Sequence, residues 1–216
     1  MRATKDNLFH LFEPHGHKVS PSRLRRDGST TPSQRPNNAE AVGTRLTLVK
    51  GQSIFSEGQA AGFFYKVVTG AVRTYTILAD GRRQITGFHL AGDIFGLETD
   101  ARHRFSASGL CDVTVVAFKR TDLDMLLASD VAFRAEILSS LMASLERAQT
   151  QLVLMGRKTA REKVAQFLHD LAHRVSKSKT AHITMRRSDI ADYLGMSRET
   201  VCRALSQLTC EWRHRT

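Results

Sequence analysis

The chain has 216 residues, of which 41% are hydrophobic and 25% charged, with a formal net charge of +11. That balance supports a packed core and argues against global disorder. No stretch reaches the roughly 18 uninterrupted apolar residues that a bilayer-spanning helix needs. The N-terminal run MRATKDNLFHLFEPHGHK has no apolar core of the secretory kind, so a soluble cytoplasmic protein with no membrane engagement is expected. Cys111, Cys202 and Cys210 are too few and too scattered for a disulfide scaffold or a Cys-rich metal site.

The charge is unevenly placed. Residues 1–42 carry seven Lys/Arg against four Asp/Glu, residues 43–156 twelve against eleven, and residues 157–216 thirteen against six. The excess therefore sits in the last 60 residues. It points to a separate module facing a polyanion, nucleic acid before a membrane surface.

In chain order, residues 1–12 read as a short helix with Leu8, Phe9, Leu11 and Phe12 on its apolar side. Residues 13–42, rich in Pro, Ser, Asn, Gly and Arg, read as a flexible arm. Arg23, Arg25 and Arg26 are either phosphate contacts there or a solvated charge cluster. From 43 to 120, β-branched and aromatic runs recur: Arg45–Val49, Ser53–Phe55, Phe63–Thr69, Ala71–Leu78, Arg83–Leu90, Phe105–Leu110 and Val113–Phe118. Glycine-bearing turns separate them, and Asp80-Gly81 between two alternating runs signals a hairpin. Seven short strands so spaced predict an antiparallel jelly roll.

Over 121–156 the period becomes helical. Leu138, Leu141, Leu145, Ala148, Leu152 and Met155 recur at intervals of 3, 4, 3, 4 and 3. This narrow a/d stripe is the seam expected of a homodimer, the alternative being packing on the chain's own barrel. A second helix should follow Gly156, with Val164, Phe167, Leu168 and Leu171 on one side. After it, Ser176–Thr180 reads as a polar loop and His182–Met185 as a short strand.

Residues 157–216 close on a helix-turn-helix pattern. Ile190, Ala191 and Leu194 make the apolar side of a short first helix, and Gly195 permits a left-handed turn. Ser197 caps a second helix whose apolar face is Val201, Leu205 and Leu208. Its opposite face carries Arg198, Glu199, Cys202 and Arg203, in the first turns, where recognition helices meet base edges. Arginine donates two hydrogen bonds to guanine, and glutamate accepts from cytosine. Arg187 and Ser188, at the start of the first helix, are candidate backbone contacts. An ordinary helical hairpin with a charged surface is the competing reading. Cys202, between Arg198 and Arg203, is a redox candidate or simply a small residue filling its position.

The order jelly roll, long helix, helix-turn-helix resembles the CRP/FNR superfamily of transcription regulators. LGMSRETVCRALSQL, GDIFGLE and VVAFKRTDLDML carry the likeness, which spans about residues 43–210 and is nearest the FixK branch. The resemblance implies an α+β fold: a cyclic-nucleotide-binding-like β-roll over 43–120, a dimer helix over 121–156, and a winged helix-turn-helix over 157–216. It implies a homodimer on a palindromic double-stranded operator, engaging RNA polymerase if it activates, and control of low-oxygen respiration or nitrogen-fixation genes. Arg198, Glu199 and Arg203 match the family's base-reading residues, while Cys202 stands where relatives carry Gly or Ser.

Two departures from the pattern matter. The nucleotide-binding members pair Gly-Glu with a later Arg-Ser or Arg-Thr, whereas here Phe95-Gly96-Leu97-Glu98 is followed by Arg102-His103-Arg104-Phe105-Ser106. No N-terminal Cys cluster for an iron–sulfur centre is present either, the first cysteine being Cys111. No cofactor is therefore expected, with a cyclic-nucleotide-responsive regulator as the alternative. The second departure is at the end: only eight residues follow Leu208, and they are not strand-like, so the wing is expected to be incomplete and the C-terminus shortened.

A cupin-like metal enzyme is the alternative from another functional class. It needs several His and a Glu converging on neighbouring strands, but His89 and His103 stand apart, and His15 and His17 lie in the arm. No catalytic or metal-ligating residue is assigned.

Overall fold

The structure is a computed structural model that describes residues 42–157, 159–177 and 185–213. The expected short helix over 1–12, the arm up to residue 41 and most of the expected 182–185 strand lie outside the described residues.

Eight strands form two four-stranded antiparallel sheets. They are β1 (Thr44–Leu48), β2 (Ser53–Phe55), β3 (Phe63–Thr69), β4 (Ala71–Ile77), β5 (Arg83–Leu90), β6 (Ile94–Phe95), β7 (Ser106–Gly109) and β8 (Val113–Lys119). One sheet has the order β1-β8-β3-β6, the other β2-β7-β4-β5. The jelly-roll expectation holds, with edges moved by one residue or so. Strand β6 was not anticipated, because two residues are too short to show alternation.

The local chemistry explains the turns. Residues 78–82 join β4 to β5, which pair from Ala71↔Leu90 to Ile77↔Arg83 with a bulge at Thr74/Tyr75. Asp80 Oδ1 accepts the Arg82 N–H at 3.0 Å, and Gly81 takes φ +81°. Gly70 alone connects β3 and β4. A Cβ there would meet the Asp112 carbonyl oxygen at 2.4 Å, on a backbone already at φ +82°.

The inter-sheet core holds Phe55, Tyr65, Val67, Val72, Phe95, Ala107, Val113 and Val115. A second cluster packs Phe64, Ile94, Val116 and Phe118 on the roll against Leu126, Phe133 and Ile137. Each such fully buried side chain contributes about 1.5–3 kcal/mol of transfer free energy.

After a 3-10 turn at Arg120–Asp122 come α1 (Leu123–Ser129) and α2 (Val131–Arg157). Asp130 separates them: its backbone is extended and its Oδ1 accepts the Phe133 N–H at 2.9 Å, an N-cap. Phe133 and Ile137 face the roll, and Ser140 Oγ accepts the β6 N–H of Ile94 at 3.0 Å. The other face of α2 is bare: Leu138, Leu141, Leu145 and Leu152 are 47–74% exposed, with Met142 and Val153 beside them.

Helix α3 (Ala160–Lys177) follows, then α4 (Arg187–Leu194) and α5 (Arg198–Arg213). The expected loop at Ser176–Thr180 is corrected at its start, since Ser176 and Lys177 continue α3. Val164, Phe167, Leu168 and Leu171 are buried as expected. They join Ile85, Phe88 and Leu90 of the roll and Ile190, Leu194 and Val201 of the last two helices in one cluster. One apolar core thus runs from the second sheet into the C-terminal helices.

Candidate nucleic-acid interface

The interface is built on α4 and α5. Ile190, Ala191 and Leu194 are buried beneath α4, and Gly195 ends that helix in the left-handed region at φ 63°. A side chain at 195 would first meet Met155, at 3.8 Å, so it is backbone conformation that calls for glycine there. The Met155 end of the α2 stripe therefore lies beside this turn in the same chain.

Ser197 caps α5 as expected, its Oγ accepting the Thr200 N–H at 3.1 Å. Val201 and Ala204 are buried, and Leu205 and Leu208 are half-buried against the same core. This seats α5 on one side and leaves Arg198, Glu199 and Arg203 exposed on the other. Cys202 is half-buried between the two sides. Arg187 is exposed and Ser188 half-buried at the start of α4. Arg187 Nη1 donates to Cys202 Sγ at 3.6 Å, joining the two helices.

Glu199 is turned back toward the start of its helix. Hydrogen bonds from its own backbone N–H and from the Ser197 hydroxyl hold its carboxyl below the ordinary glutamate range. The neighbouring Arg198 and Arg203 guanidiniums lower it further.

Asp189, which the sequence reading passed over, is buried in the first turn of α4. Its Oδ2 accepts the Arg186 N–H at 3.3 Å, and its Oδ1 accepts Arg73 Nη1 at 2.6 Å and Arg83 Nη2 at 2.8 Å. An acidic residue in a first turn is a legible capping signal. Its arginine partners lie more than 100 positions away and leave no local trace.

A cavity of about 410 Å³ lies between the roll, α2 and α4, lined among others by Phe55, His89, Glu98, Arg104, Arg147 and Tyr193. The residues that would stand for a phosphate clamp here already have partners. Glu98 already accepts from His103 Nδ1 at 3.2 Å and from the Arg104 N–H at 2.7 Å. Arg102 Nη1 is spent on the Gly58 carbonyl at 2.6 Å, and Ser106 Oγ on the Glu57 N–H at 3.0 Å. Arg104 lines the cavity, as do the hydroxyl-bearing Thr86, Thr99 and Ser144.

His89 is half-buried where it lines this cavity, and desolvation lowers its pKa to about 4. Its Nε2 is 3.3 Å from Thr74 Oγ1, and its Nδ1 has no hydrogen-bond partner among the described residues. His103 stacks on Phe55 with ring centroids 3.7 Å apart. Among the described residues no group of three metal-ligating side chains converges. His15 and His17 lie outside the described residues.

Comparison with known proteins agrees with this architecture. Residues 45–130 match the cyclic nucleotide-binding domain family and residues 162–211 the Crp-like helix-turn-helix domain family. The chain is 41% identical over 193 residues to the nitrogen fixation regulation protein FixK of Azorhizobium caulinodans, covering 87% of this chain and 78% of that one. It is 36% identical over 204 residues to the protein of the same name from Bradyrhizobium diazoefficiens, covering 92% and 86%. The structure of FixK2 from Bradyrhizobium japonicum superposes with a TM-score of 0.70 at 42% identity, over 79% of this chain and 86% of that one. A β-roll, a long helix and a helix-turn-helix with these relatives place the chain in the CRP/FNR superfamily, as a FixK-like DNA-binding transcription regulator.

Proposed function

We propose that this regulator acts as a homodimer that reads a palindromic operator and controls genes of low-oxygen respiration or nitrogen fixation. The observation that carries the reading is the exposed face of Arg198, Glu199 and Arg203 on a capped helix seated by Val201 and Ala204. Arg203 and Arg198 read guanine edges, Glu199 accepts from cytosine, and Ser197, Arg187 and Ser188 meet the backbone. Cys202 lies among them as a site of redox control. The regulated pathway follows the FixK relatives' names.

In this reading residues 43–120 are the sensor-like roll, 121–156 the dimerisation region and 157–216 the DNA-binding domain. The bare stripe of Leu138, Leu141, Leu145, Ala148 and Leu152 on α2 supports the dimer, with Met155 at its end. The protein works in the cytoplasm by binding, without a catalytic step, and meets RNA polymerase where it activates. The test is selection of bound sequences from random DNA by the purified protein. A palindrome resembling the operators of low-oxygen genes is expected; enrichment of no sequence overturns the reading.

A further inference from the structure

Four side chains tie the roll to the helix-turn-helix. Arg83, at the start of β5, donates from Nη2 to Asp192 Oδ2 at 2.6 Å and from Nε to the same oxygen at 2.9 Å. The same Nη2 reaches Asp189 Oδ1 at 2.8 Å. Arg73 on β4 donates from Nη1 to Asp189 Oδ1 at 2.6 Å, and its Nε is fixed by the buried Ser108 hydroxyl at 3.1 Å. Asp189 is only 2% exposed. Both guanidinium carbons stand about 6 Å from the centre of the Tyr75 ring, at 6.0 Å for Arg73 and 5.8 Å for Arg83.

Neighbouring contacts extend the tie. Gln84 Nε2 from β5 and Gln151 Nε2 from α2 both donate to the Tyr193 carbonyl, at 3.3 and 3.2 Å. The Tyr193 ring packs 5.0 Å from Phe88 and 5.4 Å from Phe167.

The Arg73 and Arg83 contacts fall on α4, while from α3 Arg174 Nη2 donates to the Phe88 carbonyl at 2.8 Å and to Asp93 Oδ2 at 2.7 Å. Arg198, Glu199 and Arg203 on α5 stay exposed while these are made, so docking and DNA reading are compatible. Planar arginines forked onto two carboxylates fix direction as well as distance. An apolar contact by itself permits sliding.

We propose that Arg73 and Arg83 are positioning residues for DNA recognition: by clamping Asp189 and Asp192 they set the angle of the helix-turn-helix on the roll, and so the half-site spacing that a dimer accepts. This rests on the operator reading proposed above. Two recognition helices on a twofold axis must enter major grooves about 34–36 Å apart. A C-terminal unit of α3, α4 and α5 free to swing on the end of α2 would tolerate several spacings. A clamped one selects a single spacing.

The test uses the full chain and a panel of palindromes with the same half-sites separated by one or two base pairs more or fewer than the optimum. It compares the unaltered protein with Arg83→Met, Arg83→Lys and Asp192→Asn. None of these changes touches the base-reading face. The unaltered protein should lose about tenfold in affinity per step from the optimum, the order of one mismatched base pair. Arg83→Met and Asp192→Asn should flatten that loss to about threefold or less while leaving the preferred bases of each half-site unchanged. Arg83→Lys, which keeps the charge but cannot fork, should fall between.

Weakening of all spacings alike marks a merely structural role and overturns the proposal, as does an unchanged spacing profile. An unaltered protein that distinguishes no half-site sequence at all overturns the operator reading, and this one with it. Small-angle scattering of the DNA-free variants gives a second readout. A larger radius of gyration in Arg83→Met at unchanged helix content supports the clamp, and an unchanged radius overturns it.

Discussion

The Arg187 guanidinium donates to the Cys202 sulfur across the two helices of the DNA-binding motif, at 3.6 Å. In the proposed docking this contact would make the thiol part of the phosphate-facing surface. Peroxide that carries Cys202 to sulfinate places an anion beside Arg187 and neutralises a group meant for DNA. Fluorescence anisotropy should show operator binding weakened after peroxide treatment, and Cys202→Ala should bind equally before and after. A Cys202→Ala protein that remains peroxide-sensitive removes Cys202 as the cause.

Arg203 and Arg187 should differ in kind. Arg203→Ala should cost about 1–3 kcal/mol of discrimination at one symmetric pair of operator positions. Arg187→Ala should weaken all sequences alike and reduce the salt-dependence slope by about one unit. Competition binding across single-base operator variants, repeated at several salt concentrations, separates the two. Equal weakening of every variant by Arg203→Ala would reassign Arg203 to the phosphates.

The bare face of α2 should be buried by its twofold mate. Leu145 and Leu152 are 61% and 74% exposed in the single chain. Leu145→Lys or Leu152→Lys should yield monomers in sedimentation, because two charges would be desolvated at one seam. A protein already monomeric at micromolar concentration contradicts the dimer.

Cyclic AMP and cyclic GMP should not bind with micromolar affinity in calorimetric titration. Both Glu98 oxygens are engaged, and Arg102 and Ser106 point their polar atoms at other partners. Heat saturating at micromolar nucleotide would show that these groups rearrange.

Acid should destabilise the roll through His89. Burial lowers its pKa from 6.5 to about 4, so the unfolded chain takes up the proton first. This contribution to stability is complete above about pH 6.5 and is lost as pH falls toward 4, amounting to about 3 kcal/mol at most. Urea unfolding at several pH values should show this slope in the unaltered protein and a shallower one in His89→Gln. Identical slopes would rule out His89 as the titrating group.

The roll and the recognition helix were legible in the sequence because both rest on short-range signals. Asp80-Gly81, the alternating runs, Gly195 and Ser197 each act within a few residues. The α2 stripe was visible as periodicity, but that periodicity could not show that Phe133 and Ile137 face the roll while Leu138 and Leu145 face away. The pairing of Arg73 and Arg83 with Asp189 and Asp192 was invisible, since it depends on how two folded units meet. In a chain with 53 charged residues, charge alone nominates no partners.

The cluster that joins Ile85, Phe88 and Leu90 to Phe167, Leu171, Ile190 and Leu194 bears on modularity. Regulators of this architecture invite exchange of sensory cassettes, with one roll grafted onto another reader. Here the roll supplies five of the fifteen buried side chains in that shared interior. A transplanted helix-turn-helix would carry an unmatched greasy face, and a foreign roll would have to bring equivalents of Ile85, Phe88 and Leu90. In this chain sensor-like roll and reader are bound to match at that face, whatever ligand or operator each is given.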